Sequence, residues 1–309
     1  MPEPELLIEV TDEVGRLTLN RPGAINALTL DMLRGLDEVL RGWLDDDRVG
    51  RVELAGAGER GFCSGADVRA LRSHLLAGGS AGPFFALEYG LDALIAAYPK
   101  PITARMTGIT MGGGLGLCAH ASERIVTAGS RLAMPETIIG LYPDVGVLYE
   151  LSRAPGELGT HLALTGDAVG PSDAVLVGLA DRIDGPADEG LLAGARSWID
   201  ACYTGDDPAR IVAALEGSEH PDARRAGATL RLRSPLSVCV TLAAIRRAAA
   251  LDSVAAVLAQ DGVLAPRMAE GPDFREGVRA QLVDKDRAPR WRHARIEDVT
   301  AAEVAAVFA

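Results

Sequence analysis

The sequence predicts an α/β fold with a helical C-terminal region, and three observations lead to this prediction. Short runs of strand-forming residues alternate with helical patterns over residues 1–200. After about residue 188 the chain becomes rich in Ala, Leu and Arg, and the strand signal nearly disappears. The chain has 309 residues, 48% of them hydrophobic, which suits one large domain or two ordinary ones. We therefore predict an α/β core over residues 1–200 and a helical region over residues 201–309.

The first predicted element is a β-hairpin, because two β-prone runs over residues 6–10 and 16–20 flank a polar turn that contains a glycine. A helix follows, since the apolar residues of segment 33–44 recur at three- and four-residue spacing. Thr29 is placed to cap that helix at its N-terminus. Residues 51–55 then predict a third strand, which ends in glycine-rich turn chemistry.

Two more strands are predicted over residues 102–106 and 124–128, with a helix over residues 115–122 between them. Short strands with intervening helices are typical of an α/β plan. No low-complexity tract or fixed-period repeat interrupts this pattern.

The charge and composition exclude several classes of protein. Asp and Glu number 43 against 31 Lys and Arg, so the net charge of −12 repels a phosphate backbone. The four cysteines form no CxxC pair and the five histidines show no metal-ligand spacing, so we expect no disulfide framework and no metal. We find no secretory signal, presequence or run of about 18 apolar residues. The sequence thus predicts a cytoplasmic protein with no nucleic-acid or membrane partner.

Residues 56–61 spell GxGxxG, the fingerprint of a dinucleotide-binding loop. That fingerprint needs a helix that opens inside the motif, because the helix N-terminus holds the pyrophosphate. Here Gly65 would break a helix beginning at Gly58. We interpret the segment as a tight turn and reject the NAD hypothesis.

Two glycine-containing loops are more informative together. Residues 62–68 and 108–117 each place small residues immediately before a helical run, so free backbone N–H groups can approach an incoming oxygen. Two such N–H groups from separate loops are what an oxyanion hole requires. Close packing of the glycines remains the alternative interpretation for either loop alone.

Two carboxylates lie downstream in Pro- and Gly-rich surroundings beside apolar residues. Glu136 and Asp144 occupy such positions, where a raised pKa can make a carboxyl group a base or a nucleophile. The alternative is local: Glu136 would cap a helix and Asp144 would form an Asx-turn. The residues themselves leave both interpretations open.

Taken in order, segments 19–28, 63–68 and 109–117 resemble the crotonase superfamily, also called the enoyl-CoA hydratase/isomerase family. A narrower resemblance concerns its 3-hydroxyisobutyryl-CoA hydrolase branch and is carried by residues 84–89, by the acidic pair, and above all by the C-terminal segment 273–291. The resemblance implies a crotonase (ClpP-like) spiral of ββα units with an acyl-CoA site in the core. The helical C-terminal region would then serve as a cap or in assembly, commonly as a trimer or hexamer.

The resemblance also implies roles for single residues. The backbone N–H groups of Ser64 and Gly113 would form the oxyanion hole for the thioester carbonyl. Glu136 would be the nucleophile or general base, and Asp144 would orient the acyl hydroxyl or the attacking water. Substrate binding would also involve Ala66, Gly113 and Glu88, the last in the wall of the acyl pocket.

The resemblance implies hydrolysis of a short-chain 3-hydroxyacyl-CoA thioester, with 3-hydroxyisobutyryl-CoA of valine catabolism as the expected substrate. No cofactor is implied, since CoA is part of the substrate. Hydratases of the family use two glutamates, one of them two residues past the triple glycine, where this chain has Gly116. Two alternatives stay open: an enoyl-CoA hydratase or isomerase, and a catalytically weak acyl-CoA-binding paralogue. Arg21 and Arg69 are candidates for contacts to the CoA phosphates.

Overall fold

The computed structural model describes residues 3–309 and confirms the α/β fold, with every strand of that range inside the first two thirds of the chain. The strands are β1 (Leu6–Thr11), β2 (Val14–Leu19), β3 (Arg51–Gly56), β4 (Ile102–Met106), β5 (Ile109–Met111), β6 (Glu123–Thr127), β7 (Arg131–Ala133) and β8 (Arg182–Asp184). The hairpin and the strands predicted near residues 51, 102 and 124 are confirmed. The short strands β5, β7 and β8 were not predicted.

The helices fill the rest of the fold and form the whole of its regular structure after β8 within the described residues. They are α1 (Leu30–Trp43), α2 (Val68–Leu76), α3 (Gly82–Ala96), α4 (Gly113–Ala119), α5 (Leu148–Leu151), α6 (Leu158–Thr165), α7 (Pro171–Leu176), α8 (Leu192–Cys202), α9 (Pro208–Glu216), α10 (Pro221–Leu232), α11 (Pro235–Ala248), α12 (Val254–Glu270), α13 (Pro272–Val278) and α14 (Ala301–Phe308). Thr29 caps α1 as predicted, because its side chain accepts the N–H of Met32. The helix predicted over residues 115–122 begins two residues earlier, at Gly113.

The main sheet has the order β1-β2-β3-β4-β6-β8, in which only the β1–β2 hairpin is antiparallel. The hairpin turn is tighter than the predicted polar segment. Asp12 and Glu13 both have positive φ, 53° and 60°, which is the backbone of a two-residue turn whose twist matches the strands.

Strand β5 pairs with β7 in a smaller parallel sheet, and isolated bridges beside it bring the two glycine-containing loops together. Bridges pair Gly61 with Gly108 and Cys63 with Thr110, so the loop after β3 runs beside β5. Because α4 begins directly after β5, the N-terminus of α4 lies next to the loop that leads into α2. The fold therefore places both loops at one site.

The hydrophobic core is continuous between the strand-containing and helical parts, from Leu17 in β2 to Ile296 near the C-terminus. The division at residue 200 stays a prediction, since the two parts share this core. Within residues 3–309 no single helix is long and apolar enough to cross a bilayer, although α10 and α11 pass that test as a pair bent by 114°.

Candidate active site

A cavity of about 240 Å³ lies where the two glycine-containing loops meet α3 and α13. It is lined by every site residue named from the sequence: Ser64, Ala66, Glu88, Gly113, Glu136 and Asp144. Its remaining wall is mostly apolar and includes Phe85 of α3, Phe274 of α13 and Leu282 beyond it. The C-terminal part of the chain thus closes one side of the cavity.

One assignment needs correction at the loop before α2. The N–H of Ser64 donates to the carbonyl of Ile25 at 2.9 Å, so it is already engaged and is not free for a ligand. Within residues 3–309, the N–H groups of Ala66 and Gly113 donate to no other protein group. Ala66, expected to bind substrate in another way, therefore replaces Ser64 as the available donor of this loop. The sequence pattern marks the loop but does not show which of its N–H groups the backbone engages.

Gly65 explains how the two free donors come close together. A Cβ on Gly65 would lie 3.4 Å from the nitrogen of Gly113 and 3.1 Å from the carbonyl oxygen of Met111. Its φ of 98° also disfavours any side chain. A glycine is needed here for both steric and conformational reasons.

Glu136 and Glu88 are buried directly against the triple glycine. A Cβ on Gly112 would lie 2.8 Å from Oε1 of Glu136, and one on Gly113 would clash with Oε1 of Glu88. The glycines therefore make room for two carboxyl groups beside the N-terminus of α4. Glu136 begins a short 3₁₀ turn, Glu136–Ile139, and its side chain lines the cavity.

Asp144 is the best stabilised of these acids. The hydroxyl of Tyr89, one residue after Glu88 on α3, donates to Oδ2 of Asp144 at 2.5 Å. Burial raises the pKa of Asp144 to about 6, and the Tyr89 hydrogen bond opposes that rise. Its carboxylate accepts a tyrosine hydroxyl and lines the cavity, which an isolated Asx-turn would not require.

The pKa values of Glu136 and Glu88 are raised further. Burial is the first cause for both, and the negative charge of Asp144 is the second. Burial and the repulsion between these carboxylates therefore disfavour the ionised forms of Glu136 and Glu88. A carboxyl group with a raised pKa is suited to proton transfer near neutral pH.

Three residues that were given no role from the sequence hold Asp144 or its loop: Tyr89, Tyr142 and Asp261. The hydroxyl of Tyr142 and the N–H of Gly146 donate to the two carboxylate oxygens of Asp261, each at 2.7 Å. Asp261 lies on α12, far along the chain from Asp144. Its only signal in the sequence is an acidic residue on the apolar face of a helix, between Leu258 and Leu264.

Gly116 is surrounded by other side chains, which leave no space for a side chain at this position. A Cβ at this position would lie 2.7 Å from Cβ of Val145 and 2.9 Å from Oδ2 of Asp92. Asp92 is fully buried, and neither of its carboxylate oxygens has a hydrogen-bond partner within residues 3–309. The place where hydratases of the family carry their second glutamate is thus occupied by Asp92 and Val145.

The two arginines considered for the CoA phosphates, Arg21 and Arg69, have partners within the protein. Arg21 pairs with Glu5 and with Asp67, the residue that caps α2. Arg69 donates to the carbonyl of Leu282 and so links α2 to the C-terminal wall. No helix begins within residues 56–61, in agreement with the rejection of a dinucleotide loop.

Cys63, in the loop before α2, is fully buried and is not suited to act as a nucleophile. Burial raises the pKa of its thiol to about 12, which disfavours the thiolate. Within the described range, no three His, Cys, Asp or Glu side chains are arranged to hold a metal ion.

These features together define a fold and a site of the crotonase type: a spiral α/β core, two loops with free N–H groups, and buried acids beside them. A family model described as enoyl-CoA hydratase/isomerase matches residues 14–188 and 183–308. The chain belongs to this family, and the fold expected from the resemblance is confirmed.

The comparison with individual proteins is more specific. The chain is 35% identical to the mitochondrial 3-hydroxyisobutyryl-CoA hydrolase of Danio rerio, over 96% of this chain and 87% of that protein. Two solved structures match with a TM-score of 0.95. One is a carnitinyl-CoA dehydratase from Mycobacterium thermoresistibile, 43% identical, covering 99% of this chain and 97% of that one. The other is an enoyl-CoA hydratase from Rhodobacter sphaeroides, 40% identical with the same coverage. The resemblance to the superfamily and to the hydrolase branch is confirmed.

Proposed function

We propose that this protein hydrolyses a short-chain 3-hydroxyacyl-CoA thioester, with 3-hydroxyisobutyryl-CoA as the substrate and 3-hydroxyisobutyrate and CoA as the products. The observation that carries the proposal is the pair of acids Glu136 and Asp144 beside two free backbone N–H groups, at a site where Val145 and Asp92 leave no room for a glutamate at position 116. The similarity to a curated hydrolase over nearly the whole chain supports it. The place of this reaction in valine breakdown belongs to the same proposal.

In the proposed reaction the thioester oxygen accepts the N–H groups of Ala66 and Gly113. These donors stabilise the negative charge that develops on that oxygen when the carbonyl carbon is attacked. Removing one such donor typically raises the barrier by about 3–4 kcal/mol. The apolar wall around the cavity excludes water that would weaken this stabilisation.

Glu136 acts on the carbonyl carbon, and Asp144 orients the reactants. As a base, Glu136 takes a proton from water while the hydroxide forms the new C–O bond. The C–S bond then breaks, and the proton passes to the departing CoA sulfur. As a nucleophile, a carboxylate oxygen of Glu136 bonds to the carbonyl carbon while the C–S bond breaks and CoA leaves as the thiolate. Water then hydrolyses the resulting mixed anhydride, which restores Glu136, releases the hydroxy acid and supplies the proton that the CoA thiolate takes up. In both courses Asp144, held by Tyr89, accepts a hydrogen bond from the 3-hydroxyl group or from the water.

The names of the two solved structures described above raise hydration or dehydration as a second candidate. Adding water across a double bond needs one group to activate water and another to handle the α-proton. The second glutamate that hydratases place at the position of Gly116 has no room here, because Val145 and Asp92 fill that space. This packing favours hydrolysis.

We further propose that the protein is cytoplasmic, that it needs no metal or redox cofactor, and that it forms a homo-oligomer, trimeric or hexameric, through its helical region. The curated relative from Danio rerio is named as mitochondrial, which describes that protein.

The substitution Glu136→Gln tests the proposal directly. It removes the charge and the basicity but keeps the shape, so we expect thioester hydrolysis to fall by a factor of about 10² to 10⁴. Binding of a CoA thioester, measured by calorimetry, should change by less than about threefold. Glu38→Gln, on the exposed face of α1, is the matched control and should retain full activity. Full hydrolysis in the Glu136→Gln protein would contradict the mechanism.

A further inference from the structure

The loop that carries Asp144 has an unusual backbone. Val145 and Gly146, the two residues after Asp144, have φ values of 53° and 74°. Positive φ is uncommon for any residue with a side chain and is a genuine outlier for a β-branched one such as Val145. A conformation of this kind persists only where its surroundings over-determine it, and such places cluster at active sites.

Asp261 stabilises this backbone conformation through two hydrogen bonds from the loop. Its Oδ1 accepts the hydroxyl of Tyr142 and its Oδ2 accepts the N–H of Gly146, both at 2.7 Å. The two donors stand two residues before and two residues after Asp144. One buried carboxyl group, provided by α12, thus fixes both sides of the turn that presents Asp144 to the cavity.

Two other groups complete the surroundings of the loop. Nε2 of His120, just after α4, lies 2.9 Å from the carbonyl oxygen of Val145. Tyr89 holds the side chain of Asp144 itself. Of these contacts, only that of Asp261 joins residues on both sides of Asp144.

We propose that Asp261 is a positioning residue for the reaction: by accepting the Tyr142 hydroxyl and the Gly146 N–H, it holds the loop in the conformation that aims the Asp144 carboxylate into the cavity. The inference rests on the proposed function, since it takes Asp144 to act in thioester hydrolysis. The inference also gives α12 a role in positioning Asp144, although Asp261 itself does not line the cavity.

The test compares two substitutions at the same position. Asp261→Ala removes both acceptors, and a displacement of Asp144 by about 1 Å is expected to lower kcat about a hundredfold. Asp261→Asn restores two hydrogen bonds, because its oxygen accepts the Gly146 N–H while its amide donates to the Tyr142 hydroxyl, which can reverse its role. We therefore expect Asp261→Asn to keep kcat within about fivefold of the wild type, with KM changed by less than about threefold in both variants.

Ser253→Ala is the control for a merely structural effect. Ser253 caps α12 by accepting the N–H of Ala256, so its loss weakens the same helix without touching the loop. It should lower the melting temperature and leave kcat unchanged. If Asp261→Ala does not fold, Tyr142→Phe removes one of the two contacts and should lower kcat several-fold with KM unchanged.

The outcomes separate this inference from the proposed function. Two results would overturn the positioning role alone, provided that the wild type is active. In one, Asp261→Ala keeps the kcat of the wild type; in the other, kcat falls as much in Asp261→Asn as in Asp261→Ala. If the wild type releases no CoA, the proposed function fails. The inference is then decided by a crystal structure of Asp261→Ala or, if that variant does not fold, of Tyr142→Phe. A loop and an Asp144–Tyr89 contact unchanged from the wild type would contradict it, and a displaced Asp144 would support it.

Discussion

At the scale of single residues, the site is a set of buried acids in which the negative charge on one raises the pKa values of the others. Asp144 carries the negative charge most easily, because the Tyr89 hydroxyl opposes the effect of its burial. Glu136 is raised in pKa by its own burial and then by the charge on Asp144. The proton affinity of the catalytic carboxyl is thus set in part by its neighbour, which can be tested through pH.

The pH dependence of kcat/KM follows from these causes. Glu136 must be ionised to act as base or nucleophile, so activity falls as the pH drops through its pKa. Because that pKa is raised, the acidic limb should lie well above the value of 4.5 for an ordinary glutamate. Asp144→Asn removes one cause of the rise and should shift the limb to lower pH, along with a reduced kcat. The measurement is kcat/KM for CoA release across pH; a limb that stays in place in Asp144→Asn, as it should in the exposed control Glu38→Gln, would contradict the coupling.

At the scale of elements, α4 and its glycines determine which chemistry the fold can perform. At the start of α4 the N–H of Gly113 is free. Gly112 leaves space for the side chain of Glu136, and Gly113 leaves space for that of Glu88. One turn further on, Gly116 packs against Asp92 of α3 and Val145 of the loop after Asp144. The helix therefore contacts the loop that bears Asp144, and a larger residue there should disturb both stability and catalysis.

The substitution Gly116→Ala tests this packing. A methyl group would lie 2.7 Å from Cβ of Val145, so we expect a loss of about 1–3 kcal/mol in the free energy of unfolding, as in other overpacked cores. Gly262→Ala, in the interior of α12, meets nothing within 4 Å and should instead be neutral or stabilising by about 0.5–1 kcal/mol. Urea unfolding of the two variants gives the comparison. Equal stabilities would contradict the account of a filled position at Gly116.

At the scale of the whole molecule, the sequence predicts more of the fold than of the contacts within the site. Periodicity and a cap at Thr29 locate the hairpin, α1 and the parallel strands, since these patterns are local. Motifs and the family resemblance place the named residues around one cavity.

The remaining contacts could not be predicted because they depend on the path of the backbone. The N–H of Ser64 donates a hydrogen bond to the carbonyl of Ile25, and nothing in the sequence indicates that this N–H is engaged. Asp261, on α12, accepts a hydrogen bond from the Asp144 loop although Gly146 and Asp261 are 115 positions apart in the sequence. Long-range hydrogen bonds of this kind leave only a weak trace, an acid on an apolar helix face.

One measurement tests the central claim most directly: release of free CoA thiol from 3-hydroxyisobutyryl-CoA by the wild-type protein, run beside hydration of crotonyl-CoA followed by loss of its conjugated absorbance. The closed position at Gly116 and the pair Glu136 and Asp144 predict thiol release without hydration. Hydration of crotonyl-CoA without release of thiol would contradict the account and would require another acid to act in place of the glutamate that Gly116 excludes.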